Sequence, residues 1–164
     1  MDPAVNEAWH DFFVAETGAA AALAGLLVVA ISINIKEIID GTGLPGRAAE
    51  TILFLGGALI ESSIMLVPDL SPGVRGGAVF VVAVIVWSLP AISQSRLHRR
   101  MHGHPEHFWN RVMLTQMAAL PAVVAGALLV FDITGGRYVL AIGILASFAV
   151  ALVNAWVLLV EILR

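Results

Sequence analysis

Apolar residues in this chain come in long runs, without the regular polar interruptions of a surface helix or a half-buried strand. Five runs stand out, at about 12–35, 47–67, 74–95, 112–131 and 138–161. Each is close to the roughly 20 residues that an α-helix needs to cross the hydrocarbon core of a bilayer. Turn chemistry or charge bounds them. "KEIIDGTGLPGR" closes the first run, "PDLSPGVR" the second and "DITGGR" the fourth. The third ends in the one substantial polar loop, 96–111, within "SRLHRRMHGHPEHFWNR". The pattern predicts an all-α polytopic membrane protein: a single transmembrane domain over 1–164 with five helices, successive ones packed as antiparallel neighbours. We find no internal repeat, so an inverted-repeat transporter has no support in the sequence.

Basic residues add an orientation. With five spans the termini lie on opposite sides. The C-terminal side then carries Lys36, Arg47, Arg96, Arg99, Arg100, Arg111 and Arg164, against Arg75 and Arg137 on the other. Under the positive-inside rule this predicts an external N-terminus and a cytoplasmic C-terminus. Trp9, Phe12, Phe13, Trp109 and Tyr138 fall near the expected interfaces, where amphipathic rings belong. Asp2, Glu7, Asp11, Asp69 and Asp132 fall on the external side, so that side reads as net negative and able to concentrate cations. Leftover acids on the side that positive charges avoid are the plainer account of the same pattern.

Candidate chemistry lies in the polar residues inside the spans. Glu61 sits about 14 residues into the second run, about 10 Å from its outer end. A carboxylate facing lipid at that depth is costly, so Glu61 must face protein or water, or be protonated. Glu50 lies eleven residues earlier, which places both carboxyls on one face about 16 Å apart, with Phe54 and Gly57 between them. Ser62 and Ser63 add hydroxyls near Glu61, and Glu16 with Thr17 lies at a similar depth in the first run. Glu61, Glu16, Ser62 and Asp69 are therefore the candidate ion pathway. In the competing reading, Glu61 is a buried group that fixes helix packing. Gly18, Gly25, Ser32, Gly57, Ser147 and Asn154 are the candidate packing residues, since small and hydrogen-bonding side chains let membrane helices approach. Glu50, near the inner interface, is expected to be solvated or paired with Arg47.

Composition narrows the classes further. Charged residues are 13% of the chain and hydrophobic ones 59%, which leaves no room for a soluble domain of useful size. A net charge of −3 and the lack of a basic patch argue against a nucleic-acid partner. There is no cysteine for disulfides, thiolate metal sites or nucleophiles. The acidic start "MDPAVNEAWHDFF" argues against a cleaved signal peptide. His98, His102, His104 and His107 crowd the polar loop and admit metal binding or proton sensing, although the nearby arginines repel a dication. No histidine lies inside a span to hold a membrane haem, and no G-x-S-x-G, H-E-x-x-H or P-loop motif occurs, so neither a cofactor nor an enzyme is expected.

"AGLLVVAISIN" and "NAWVLLVEILR" resemble segments of small bacterial multi-span integral membrane proteins of unassigned function. The resemblance covers the first and last spans and implies a bacterial inner-membrane setting, with no mechanism attached. The expected function is a homo-oligomeric pore that conducts monovalent or divalent cations past Glu61. The main alternative is a non-conducting accessory subunit that binds a larger membrane complex. A small proton-coupled carrier using Glu61 is the third.

Overall fold

The computed structural model describes residues 3–41, 43–100 and 105–161; at 95–100, 105–108, 110–111 and 160–161 the description is of the backbone alone. Among the described residues every regular element is a helix: α1 (Pro3–Ile33), α2 (Ile35–Asp40), α3 (Leu44–Leu66), α4 (Pro72–Arg100), α5 (Pro105–Val130) and α6 (Gly136–Glu161). Five of them are long and apolar enough to cross a membrane. In lipid an isolated segment must satisfy its own backbone hydrogen bonds, and a helix does so along its length.

Helix boundaries follow local chemistry. Proline opens α1, α4 and α5, at a position where the missing N–H has no intrahelical partner to lose. The helical run from Pro3 breaks at Asn34, whose side chain donates to the Ala30 carbonyl at 3.0 Å. The six residues of α2 then lie beneath the start of α3, because Ile38 is buried with Ala48 and Leu158. Gly43, with φ +84°, makes the left-handed turn into α3. At the opposite end of the bundle, Asp69 and Asp132 occupy the left-handed region in the α3–α4 and α5–α6 turns, a conformation that Asp tolerates better than most residues.

Helices α3, α4, α5 and α6 form a closed up–down–up–down ring, each packing on the next and α6 returning to α3. Helix α1 stands outside the ring, packs along α3 and only grazes α6. The ring is held close by small residues. A Cβ on Gly126 of α5 would sit 2.5 Å from the Phe80 Cα of α4, and one on Gly76 would strike the backbone of Leu129 and Val130. Where two helices lack side chains at the crossing, their backbones approach and dispersion contacts multiply, which is the main source of association in lipid.

Candidate functional site

The polar residues of the interior fall in two layers that share one face of α3. Glu50, Phe54, Gly57 and Glu61 are separated by intervals that bring them within about 60° of one another around the helix. Gly57 fixes the direction of that face, because a Cβ there would lie 2.6 Å from the Val86 side chain of α4. The face is therefore turned into the ring.

The layer nearer the C-terminal end of the bundle is a hydrogen-bonded cluster from three helices. Gln94 of α4 donates from Nε2 to Glu50 Oε1 of α3 at 3.2 Å and to Thr115 Oγ1 of α5 at 2.8 Å. All three side chains are buried. Glu50 is thus enclosed by protein, which removes the solvated carboxylate that was one of the two outcomes expected from its sequence position. Nearby, Trp87 donates from Nε1 to Gln116 Oε1 at 2.7 Å, a second α4–α5 bond. Ser147 of α6 reaches the Ala118 carbonyl at 3.4 Å, in the turn of α5 that Pro121 disrupts. Asn154 is also buried.

The layer nearer the N-terminal end contains Glu61 and Ser62. Glu61 is only 3% exposed, one turn from Ala58, which packs in a cluster with Val79, Ala83, Ala125 and Leu140. Ser62 is fully buried, and its Oγ has no hydrogen-bond partner. Glu16 of α1 is half-buried, and its Oε2 is likewise enclosed without a partner. Buried polar atoms are nearly always satisfied, so each of these unsatisfied oxygens marks a spot suited to water or an ion. Between the two layers Phe54, at 0% exposure, Gly57 and Val86 close the interior. In this conformation an apolar barrier separates the two carboxyls.

The other expected residues go elsewhere. Asp69 is exposed in the α3–α4 turn. Gly18, Gly25 and Ser32 lie on the outward face of α1; added Cβ atoms at the two glycines would meet nothing within 4 Å, and Ser32 donates to its own Val28 carbonyl. Of the expected packing residues, Gly57, Ser147 and Asn154 are buried in the bundle. His102 and His104 lie outside the described residues, as do the side chains of His98 and His107. Among the described residues no group of three or more His, Cys, Asp or Glu is placed to hold a metal ion. Sequence reasoning missed Gln94 and Thr115, whose only signal was a polar side chain near the end of an apolar run. Comparison with known proteins finds no matching family model, no matching curated protein and no matching solved structure.

Proposed function

We propose that this protein is a gated cation pathway, with Glu61 as the carboxyl that binds the ion inside each subunit. The observation that carries the reading is the burial of Glu61 inside the helix ring, one residue from the unsatisfied hydroxyl of Ser62. Membrane-embedded ionisable groups are costly and cluster on ion and proton paths. Burial within its own bundle favours a path through each subunit over a ring of Glu61 carboxyls around a symmetry axis, which would require the side chain on an outer face. The barrier at Phe54 corresponds to a closed state, as a gated channel or a proton-coupled carrier requires. The seven-to-two distribution of Lys and Arg supports an external N-terminus in a bacterial inner membrane, with Glu61 reached from outside.

The test is cation and proton flux into liposomes carrying the purified protein, with Glu61→Gln as the comparison. Flux that falls at least about tenfold in Glu61→Gln is expected. A folded preparation with no flux under any imposed gradient or voltage would remove the transport reading.

A second reading, an accessory subunit of a larger membrane complex, draws on one observation. The outward stripe of Gly18, Gly25 and Ser32 on α1 has the composition of a helix-packing surface but, among the described residues, carries no helix. Single-cysteine crosslinking at Gly18 and Gly25 in native membranes separates the cases. Crosslinks to another protein support an accessory role, crosslinks to a second copy support a homo-oligomer, and neither product leaves that stripe to lipid.

A further inference from the structure

We infer that the cleft at the N-terminal end of the bundle is a binding site for a phosphate oxyanion, held by Arg75 and Arg137. The cleft has a volume of about 360 Å³ and is walled by the start of α1, the end of α3 and the first turns of α4 and α6. These two arginines are 62 positions apart in sequence and, among the described residues, are the only Lys or Arg that the helix order leaves at this end. Folding brings both to one cavity.

Each arginine is held by the scaffold. Arg75 donates from Nη2 to the Val67 carbonyl at 3.2 Å, while its Nε is buried without a partner. Arg137 donates from Nη1 to Asn6 Oδ1 at 2.9 Å, tying α6 to α1. A guanidinium offers five N–H donors in a rigid planar fork, suited to two oxygens of one phosphate.

The remaining lining selects for an anion with an apolar body. His10 and Asn6 add polar contacts, and Trp9, Phe13, Met65 and Pro68 supply apolar wall. No carboxylate lines the cleft among the described residues. Glu7 and Asp11 are exposed on α1, turned by more than about 100° from the face that Asn6, Trp9, His10 and Phe13 present. Asp69 and Asp132 project from turns into the surroundings. The net-negative end expected from sequence therefore contains a basic cavity. Trp9 packs edge-on against Tyr138 with ring centroids 4.8 Å apart, and such a pair belongs at headgroup level. A phosphate reaches this position either as the headgroup of an anionic phospholipid or free from solution. The inference does not rest on transport through Glu61, because Phe13 and Met65 are the lining positions of α1 and α3 that reach furthest into the bundle, about a turn short of Glu16 and Glu61.

The experiment is calorimetric titration of the intact, delipidated protein in a non-ionic detergent. The two probes are short-chain dihexanoyl phosphatidylglycerol and inorganic phosphate. Saturable binding of at least one probe is expected, weakened at least about tenfold by Arg75→Gln, as loss of a charge-assisted donor implies. Binding of the lipid alone assigns the site to a headgroup, and binding of both assigns it to phosphate from either source. Arg137→Lys, which keeps the charge and loses the fork, provides a second variant should Arg75→Gln fail to fold, and several-fold weakening is expected from it. Wild-type protein that binds neither probe overturns the proposal, as does binding unchanged in whichever variants fold.

Discussion

The same substitution at two membrane glycines should have opposite effects, and the structure sets both sizes. In Gly126→Ala the new methyl would lie 2.5 Å from Phe80 Cα, 2.7 Å from its N and 2.9 Å from its Cβ. Carbon contacts are comfortable at about 3.5–4.0 Å, so α4 and α5 must part by about 1 Å along their crossing. Overpacking of this kind costs about 1–3 kcal/mol, against about 0.5–1 kcal/mol gained by replacing glycine inside a helix. The atoms met are mostly backbone and cannot swing aside, so the cost sits toward the upper end of that range and leaves a net loss of about 1–2 kcal/mol. In Gly18→Ala the methyl meets nothing within 4 Å, and only the favourable propensity remains. For a chain of this length, about 2–4 °C accompanies each kcal/mol. Thermal unfolding in one detergent, followed by circular dichroism, should show Gly126→Ala melting about 2–8 °C below wild type. Gly18→Ala should match or slightly exceed wild type. Equal losses in both variants would refute the account, because α1 would then be packed by something this fold does not supply. No loss in Gly126→Ala would mean that the α4–α5 crossing is looser than described.

Two further outcomes follow from the interior. Gln94→Leu keeps the side-chain bulk but removes the donor shared by Glu50 and Thr115. Stability should fall by about 1–3 kcal/mol in a denaturant titration, and an unchanged midpoint would mean that the cluster contributes nothing. Phe54→Ala removes a fully buried ring between the two carboxyl layers. It should cost about 3–5 kcal/mol and, if the folded variant is reconstituted, raise proton leak into liposomes above wild type. A folded Phe54→Ala with no added leak would show that this ring is not the barrier.

Much of the fold was legible in the apolar runs, and little of the site was. Asn34 read as the inner end of the first run and the "KEIID" at 36–40 as the loop that closes it, because α2 is too short for periodicity to register. Only the burial of Ile38 against Ala48 and Leu158 shows why it forms. Glu61 was conspicuous because a carboxyl inside an apolar run has a price in any orientation. Glu50 and Gln94 were not, since either side chain could reach water from near the end of its span. Gly18 and Gly25 looked like packing residues as much as Gly76 and Gly126 do, yet only the second pair meets another helix.

By itself the sequence determined that five segments are long and apolar enough to cross a membrane, and that their short connections make neighbours antiparallel. It also determined where the charges stand along the chain. Each of these follows from local chemistry: a run of about 20 apolar residues has few options but to span, whatever its neighbours are. The tertiary structure alone decided which faces turn inward. Lipid and protein interior are equally apolar, so hydrophobic periodicity does not distinguish the face that meets another helix from the one that meets acyl chains. Contacts made that choice: Gly126 against Phe80 set one crossing, and Gly57 against Val86 turned Glu50 and Glu61 into the ring. The same contacts gathered Arg75 and Arg137 into one cleft from distant helices.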